Sequence, residues 1–145
     1  MSKVNIDTEK AKSLLIENRY TCVLCLDGRE YHSTKRGVRP LLDFLESGES
    51  FDGFSAADKT VGAGAAHLYV LLGVKSLFAS IISKEGKRIL RENGIAVFYD
   101  TEVPFIINRS RDGMCPIERA VSGVSASSDA LAIIKKTLKE LENKG

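Results

Sequence analysis

The sequence predicts an α/β fold, a three-layer α/β/α sandwich around a mixed sheet of about five strands. Two observations lead to this prediction. From residue 53 to residue 99, short apolar strands alternate with helices, a pattern typical of parallel strands joined by right-handed crossovers. Before that stretch, two β-prone runs flank Asp27-Gly28, a dipeptide typical of a tight hairpin turn, so we expect an antiparallel pair at the N-terminal edge of the sheet.

The N-terminal third is predicted to contain a helix, the hairpin and a second helix. Apolar residues recur at helical spacing over 8–18, and β-prone residues fill 20–26 and 29–33. Gly37-Val38-Arg39-Pro40 then leads into a helix that Ser47-Gly48 ends, because proline favours the first helical turn and glycine favours a helix end.

The rest of the chain is predicted to alternate between strands and helices and to end in two helices. In chain order, the predicted elements are a strand over 53–58, a helix over 59–72, a strand over 76–82, a helix over 84–92, a strand over 95–99, a short helix over 116–121 and a final helix capped at 127–129. Connections are short and no internal repeat is present, so we expect one domain over residues 1–145.

The composition of the chain argues against a nucleic-acid-binding protein and against a membrane protein. The chain has 145 residues, 43% hydrophobic and 28% charged, and its formal net charge of +2 gives no argument for a nucleic-acid partner, so none is expected. No run approaches the roughly 20 apolar residues that span a bilayer, and the start of the chain lacks the apolar core of a signal peptide. We therefore expect a cytoplasmic protein without a membrane partner, whose three cysteines are reduced thiols.

The first candidate patch is Ala57-Asp58-Lys59 with the Gly62-Ala63-Gly64 run that follows it. If a helix begins after Asp58, its first N–H groups favour an anion and Gly62 permits a close approach. Lys59 would then supply a cation, and Asp58 would accept a hydrogen bond from a base, ribose or amine. The alternative is structural, because a capping aspartate and small packing residues are common at a helix start and no complete phosphate-binding fingerprint is present.

The second candidate patch is Asn108-Arg109, followed by Cys115-Pro116-Ile117-Glu118. Arg109 suits a bidentate contact with an anion, and Asn108 suits a base edge or a carbonyl. Cys115 lies at a predicted helix N-cap with Glu118 at the acidic position of a capping box, so the helix dipole would favour a nucleophilic thiolate. The alternative is a partly buried structural cysteine.

Other polar features of the sequence are weaker indications of a site. The basic cluster Lys35-Arg36-Gly37-Val38-Arg39 is either an anion-contacting loop or a solvated one. Cys22 and Cys25 form a CxxC, but side chains three apart on a strand face opposite sides of the sheet. His67 is interpreted as an interior helix residue. No three metal ligands have suitable spacing, and we expect neither a metal nor another cofactor.

The two patches, together with Arg36-Gly37-Val38-Arg39-Pro40-Leu41-Leu42, resemble the motifs of DUF1893, a family of small prokaryotic proteins of unknown function in the cytidine-deaminase-like superfamily. The resemblance covers about residues 10 to 135 and implies a cytidine-deaminase-like three-layer sheet, without an established activity. Zinc deaminases carry a His or Cys two residues before a catalytic Glu, and a Pro-Cys-x-x-Cys at the next helix start. Here Asp58-Lys59-Thr60 lacks the first motif and Cys115-Pro116 reverses the second, so zinc-dependent deamination is not expected.

The leading functional hypothesis from the sequence is a small binding protein of deaminase-like fold. It would recognise a nucleotide or other anionic metabolite without zinc. Asp58, Lys59 and Gly62 would contact the ligand from one side, and Asn108 and Arg109 from the other.

Two further functions remain open at this level. One is a zinc-independent transferase or hydrolase, in which Cys115 is the nucleophile or Lys59 the acid/base group and Glu118 assists. The other is a non-catalytic interaction module that forms a homodimer through a sheet edge or through the last helix.

Overall fold

The protein folds as a mixed five-stranded sheet with helices on both faces. The computed structural model describes the backbone of residues 3–144 and the side chains of residues 6–143, so residues 1, 2 and 145 of the predicted domain lie outside the described residues. In chain order the elements are α1 (Lys3–Glu17), β1 (Cys22–Leu26), β2 (Arg29–Ser33), α2 (Arg39–Glu46), β3 (Ser55–Val61), α3 (Ala63–Leu72), β4 (Ser76–Ser83), α4 (Lys84–Glu92), β5 (Ala96–Val103), α5 (Pro116–Ala120) and α6 (Ser127–Lys144).

The strands are arranged in the order β2-β1-β3-β4-β5. β1 pairs antiparallel with both β2 and β3, whereas β3, β4 and β5 run parallel. The predicted combination of an antiparallel hairpin with parallel β-α-β units is therefore confirmed. Asp27 and Gly28, which join β1 to β2, have φ angles of 52° and 81°, the two positive values that a type I′ turn requires.

Two hydrophobic cores lie on opposite faces of the sheet. Helix α1 covers one face, where its Ala11 and Leu15 pack with Cys25 and Phe78 of the sheet. The other helices contribute to the larger core on the opposite face, which also contains Cys22. The two cysteines of the CxxC therefore face opposite sides of the sheet, as their spacing predicts.

The boundary between β3 and α3 differs from the prediction. The sequence predicted a strand over 53–58 and a helix from Lys59, whereas β3 continues to Val61 and α3 begins at Ala63. The β-branched side chains of Thr60 and Val61 favour a strand, and both residues pair with β4. Sheet pairing thus outweighs the helix-start pattern.

Strand β5 is also longer than predicted, and a folded-back segment follows it. β5 was predicted over 95–99 and extends to Val103. The segment over 104–115 then turns back on itself, with an isolated bridge between Ile107 and Met114, and leads into α5. None of the described helices is long and apolar enough to cross a bilayer.

Candidate functional site

A cavity of about 260 Å³ lies where the end of β3, the N-terminus of α3 and the α5 region meet. Seven residues of the predicted patches line it: Asp58, Lys59, Gly62, Gly64, Cys115, Ile117 and Glu118. The fold therefore brings together residues that are far apart in the sequence. The cavity is slightly smaller than the roughly 300–1,000 Å³ typical of pockets that hold small molecules.

Asn108 and Arg109 do not line this cavity. They line two neighbouring cavities, together with Arg36, which lines all three. The Asn108 amide nitrogen donates to Asp112 Oδ1 at 2.8 Å, and the Asp112 N–H donates to Asn108 Oδ1 at 3.2 Å. Asn108 therefore holds its own loop together, and its side chain is not directed at the cavity that contains Asp58.

Asp58 is a buried acid on the cavity wall, with only 6% of its surface exposed. Tyr69 Oη donates to Asp58 Oδ2 at 2.7 Å, and the Thr60 N–H donates to Oδ1 at 3.2 Å. Among the described residues no cation is paired with this carboxyl. Burial raises the pKa of Asp58 from its ordinary value of 3.8 to about 7, despite these hydrogen bonds, which lower it. Asp58 is thus able to exchange a proton near neutral pH.

One interpretation of the sequence was that Asp58 is the N-cap of a helix. The structure contradicts this interpretation, because Asp58 lies in β3. The N-cap position is occupied by Gly62, in an extended conformation. Lys59 is likewise a strand residue, exposed at the end of β3 rather than in the first turn of a helix. The predicted helix start at Lys59 is therefore wrong, since α3 begins at Ala63, and both side chains still line the cavity.

Glu118 is the second buried acid, also 6% exposed, and its Oε2 atom has no hydrogen-bond partner in the described part of the chain. Burial raises the pKa of Glu118, and this effect is opposed by hydrogen bonds from the Ser83 hydroxyl and from the N–H groups of Ala63 and Ile106. Ala63 begins α3 and Ser83 is the N-cap of α4. The carboxyl therefore lies close to the N-termini of two helices, which favour its charged form.

The capping box predicted at α5 does not form. The Cys115 N–H, which the Glu118 carboxyl would have accepted, donates instead to the Ile106 carbonyl at 2.8 Å. The Cys115 thiol makes no capping hydrogen bond either. The Glu118 side chain is directed towards α3 and α4, so it lines the cavity instead of capping its own helix.

The small residues at the start of α3 are explained by close packing. A Cβ atom at Gly62 would lie 2.9 Å from Ile106 Cγ1 and would overlap Glu118 Oε2. A Cβ atom at Gly64 would overlap the Ile117 side chain. These contacts favour the structural alternative for the glycines, which let the α5 region approach α3.

Two cationic side chains, Lys59 and Arg36, lie at the mouth of the cavity. Both are exposed, and neither is paired with a carboxylate among residues 6–143. The neighbouring Lys35 and Arg39 do have carboxylate partners, 2.7 Å and 2.8 Å away. The cavity therefore combines two buried acids inside with unpaired positive charge at its entrance.

Comparison with known proteins places this architecture in a family. The family model of the domain of unknown function DUF1893 matches residues 10–138. The chain belongs to the DUF1893 family. A DUF1893 family protein from Thermotoga maritima has a similar structure, with a TM-score of 0.81 and 23% identity over 93% of this chain and 90% of that chain. The predicted family is thus confirmed. No curated protein sequence matches this DUF1893 chain significantly.

Two deaminases are more distantly similar to this DUF1893 protein. The dCMP deaminase of the cyanophage S-TIM5 has a TM-score of 0.43 and 14% identity over 69% of this chain and 96% of that one. A diaminohydroxyphosphoribosylaminopyrimidine deaminase/5-amino-6-(5-phosphoribosylamino)uracil reductase from Thermotoga maritima has a TM-score of 0.45 and 13% identity over 82% and 41%. The predicted α/β fold with a mixed five-stranded sheet is confirmed by the strand order itself, and a fold alone transfers no activity.

The described residues of the DUF1893 chain contain no group of three or more His, Cys, Asp or Glu placed to hold a metal ion. His67, which one could consider as a ligand, is 1% exposed and has its Nδ1 atom 2.9 Å from Ser127 Oγ. It lies in the interior of the helical layer, as the sequence interpretation predicts.

Sequence reasoning did not single out Tyr69, which holds Asp58, or Ile106, which lies against Glu118. Neither residue belongs to a polar motif, and each reaches the site only through the packing of distant elements. Arg36 carried a signal, because it lies in the only basic cluster of the chain. Its place at the mouth of the cavity is consistent with the anion-contacting interpretation of that cluster.

Proposed function

We propose that this DUF1893 protein binds a small nitrogen-containing metabolite that carries an anionic group, such as a nucleotide, in the cavity between β3 and α5. The observation that carries this proposal is the pair of buried acids, Asp58 and Glu118, on the walls of one cavity. An ionised carboxyl accepts hydrogen bonds from ligand N–H groups, and a protonated one donates to a ring nitrogen or carbonyl. Burial raises the pKa of both acids, and for Asp58, whose pKa is about 7, both forms are within reach near neutral pH.

The size of the cavity supports a ring-shaped ligand. About 260 Å³ accommodates a single heterocycle rather than an extended chain. Amino-substituted heterocycles, including nucleobases, present N–H donors along one edge, and carboxylates are well suited to accept them. Such a ring would lie between the acids and the apolar side chains of Ile106 and Ile117, which line the same cavity.

The mouth supports the anionic part of the ligand. Arg36 and Lys59 are exposed there without carboxylate partners, and an arginine fork matches a phosphate or carboxylate group. Arg36 thus takes the role that the sequence assigned to Arg109. The latter residue would contact only a ligand that extends into the neighbouring cavities.

The experiment that tests this function is a thermal-shift screen of the purified protein against nucleobases, nucleosides and their 5′-phosphates. A ligand at about 100 times its dissociation constant stabilises a fold by roughly 2.7 kcal/mol, which is visible as a rise in Tm. We expect the 5′-phosphates to give a larger shift than the nucleosides, because only they reach Arg36 and Lys59.

Three variants locate the site. Arg36→Ala and Asp58→Asn are expected to abolish the shift, whereas Arg109→Ala, which removes a similar charge from the neighbouring cavities only, is expected to retain it. If Arg109→Ala lost the ligand while Arg36→Ala kept it, the site would lie in the neighbouring cavities. If no compound raised the Tm of the parent protein, the proposed ligand class would be wrong.

A second candidate function is a zinc-independent transferase or hydrolase. The observation in its favour is that Cys115, Lys59 and Glu118 line the same cavity. Thiolate chemistry requires an activated Cys115, so iodoacetamide should alkylate Cys115 at pH 7 faster than it alkylates a free thiol in solution. A rate no greater than that of the free thiol would exclude Cys115 as the nucleophile, and the buried Cys22 and Cys25 serve as unreactive internal controls.

A further inference from the structure

Within the described residues, the edge strand β5 leaves a row of backbone hydrogen-bonding groups unpaired. β5 ends the sheet on the side opposite the hairpin. The Ala96 N–H donates to the Lys75 carbonyl at 3.0 Å, which directs the backbone of Ala96 towards β4. Because direction alternates along a strand, the N–H and C=O groups of Val97, Tyr99 and Thr101 point to the open edge.

This edge lacks the proline and lysine residues that often protect exposed strands. β5 is eight residues long and contains no proline, lysine or arginine, and its charged residues are Asp100 and Glu102. Two of its aromatic side chains are solvent-exposed, Phe98 to 45% and Tyr99 to 36%. The opposite edge, β2, contains Arg29 and Glu30 in its five residues. Long exposed edge strands such as β5 are sites at which another strand can add to the sheet.

The sheet face beside β5 is also uncovered. A groove of about 500 Å³ lies between α1 and β5, with Phe78 and Phe98 on its apolar floor. Lys12 and Asp100 line the same groove, and neither forms an ion pair within the described residues. The Lys12 ammonium lies 4.7 Å above the centre of the Phe78 ring. Glu9 also lines the groove, so one cation, Lys12, lies there with two carboxylates.

We propose that β5 pairs antiparallel with β5 of a second copy of this chain, about a two-fold axis at Tyr99. Such an axis is perpendicular to the sheet, so the same face of both copies lies on the same side of the extended sheet. Because side chains alternate between the faces, an even-numbered residue must oppose an even-numbered one, and an odd-numbered residue an odd-numbered one. An axis at Asp100 would oppose two like charges, which is unfavourable. An axis at Tyr99 opposes Tyr99 to itself and Phe98 to Asp100 of the second copy, and allows about six new backbone hydrogen bonds.

Charge complementarity supports this register. Phe98 lies next to Phe78 in the sheet, and Lys12 lies over Phe78. Asp100 of the second copy, opposite Phe98 and on the same face, would therefore enter the groove that contains Lys12. The symmetry produces two such ion pairs, from Lys12 and Asp100 of each copy, which form no ion pair within the described residues of the single chain.

The first test is the molar mass of the full chain by light scattering at micromolar concentration. The single chain has a mass of 15.8 kDa, and we expect twice that value. Asp100→Lys and Lys12→Glu are each expected to weaken dimerisation at least tenfold, and the double variant to restore it. A parent protein of 15.8 kDa, or a dimer that Asp100→Lys leaves unchanged, would overturn the proposal.

The second test is a cross-link that reads the register. In the proposed register, Tyr99 and Tyr99 of the second copy are directly opposed and exchange both backbone hydrogen bonds, and the Cα atoms of such a pair are about 5.5 Å apart. This distance is within disulfide range, so Tyr99→Cys should form an intermolecular disulfide under mild oxidation. Thr101→Cys is the matched control, since its copy would lie about 13 Å away along the strand. Equal cross-linking of the two variants would exclude this register. No residue of β5 lines the ligand cavity, so this proposal and the proposed function fail independently.

Discussion

Asp58 ends a chain of buried polar groups that continues through the Tyr69 hydroxyl to the Cys22 thiol. Tyr69 Oη lies 2.7 Å from Asp58 Oδ2 and 3.1 Å from Cys22 Sγ. Burial, reinforced by the charge of Asp58, raises the pKa of both Tyr69 and Cys22 well above their ordinary values. Both groups therefore remain protonated at neutral pH, and the Tyr69 hydroxyl is a dependable donor to the carboxyl.

The first prediction at this scale concerns pH. The pKa of Asp58 is about 7 in the folded protein and 3.8 ordinarily, so between these values the folded state binds more protons than the unfolded state. The stability that Asp58 contributes is complete below about pH 4 and is lost as the pH rises towards 7, by up to about 1.4 kcal/mol per pH unit. Asp58→Asn should flatten this decline in urea unfolding measured from pH 4 to pH 8.

Glu118 contributes to the same decline, because its pKa is also raised. The unfolding free energy of Asp58→Asn should therefore still fall with rising pH, but less steeply than that of the parent protein. In Asp58→Asn/Glu118→Gln this pH dependence should be weaker still. Parallel stability curves for the parent protein and Asp58→Asn would show that Asp58 titrates at its ordinary pKa, against the burial argument.

The second prediction concerns the hydroxyl that holds Asp58. Tyr69→Phe removes a donor to a buried charge and should cost about 1–3 kcal/mol of unfolding free energy at pH 8. The loss should be smaller at pH 5, where Asp58 is protonated. Tyr31→Phe is the control, because the Tyr31 ring packs among Phe44, Phe51 and Phe54. A cost for Tyr69→Phe that does not change with pH would contradict a role in stabilising the carboxylate.

At the scale of elements, the N-terminus of α3 is built to receive the α5 region. Gly62 leaves room for the Glu118 carboxyl, and Gly64 leaves room for Ile117. The third prediction is that Gly62→Ala destabilises the fold by about 1–3 kcal/mol, since the added methyl group displaces Glu118. Chemical unfolding measures this cost.

Gly113→Ala is the matched control for Gly62→Ala. A Cβ atom at Gly113 would meet its nearest neighbour, Arg119, at 3.8 Å, an ordinary contact. This variant should change stability by less than about 0.5 kcal/mol. Equal effects of the two substitutions would mean that the close approach of Glu118 to α3 is absent in solution.

At the scale of the whole molecule, hydrogen exchange distinguishes an open β5 edge from a paired one. The amides of Phe98 and Asp100, which have the same orientation as Ala96, face β4 and should be protected in either state. The fourth prediction is that the amides of Val97, Tyr99 and Thr101 are also protected at high protein concentration, and lose this protection in Asp100→Lys. Amide exchange followed by NMR resolves the alternation, and outward amides that exchange rapidly at all concentrations would exclude the strand pairing.

The organisation of the sheet was largely predictable because it depends on local patterns. The Asp27-Gly28 dipeptide predicts the hairpin through its turn geometry alone. The alternation of short strands and helices predicts the parallel units, since a short crossover has one preferred hand. The start of α3 was not predictable from the same patterns, because Thr60 and Val61 extend β3 by pairing with a strand fifteen or more residues away.

The sequence by itself determined the fold class, the family and the two patches that contribute to the candidate site, because turn signals, periodicity and motif order are local properties of the chain. Only the tertiary structure decided which patch residues meet. It brought Cys115 and Glu118 to Asp58, placed Arg36 at the mouth and left Asn108 in its own loop. The physical reason is that burial and long-range packing, which raise the pKa of Asp58 and turn Glu118 away from its helix cap, depend on neighbours that no local pattern identifies.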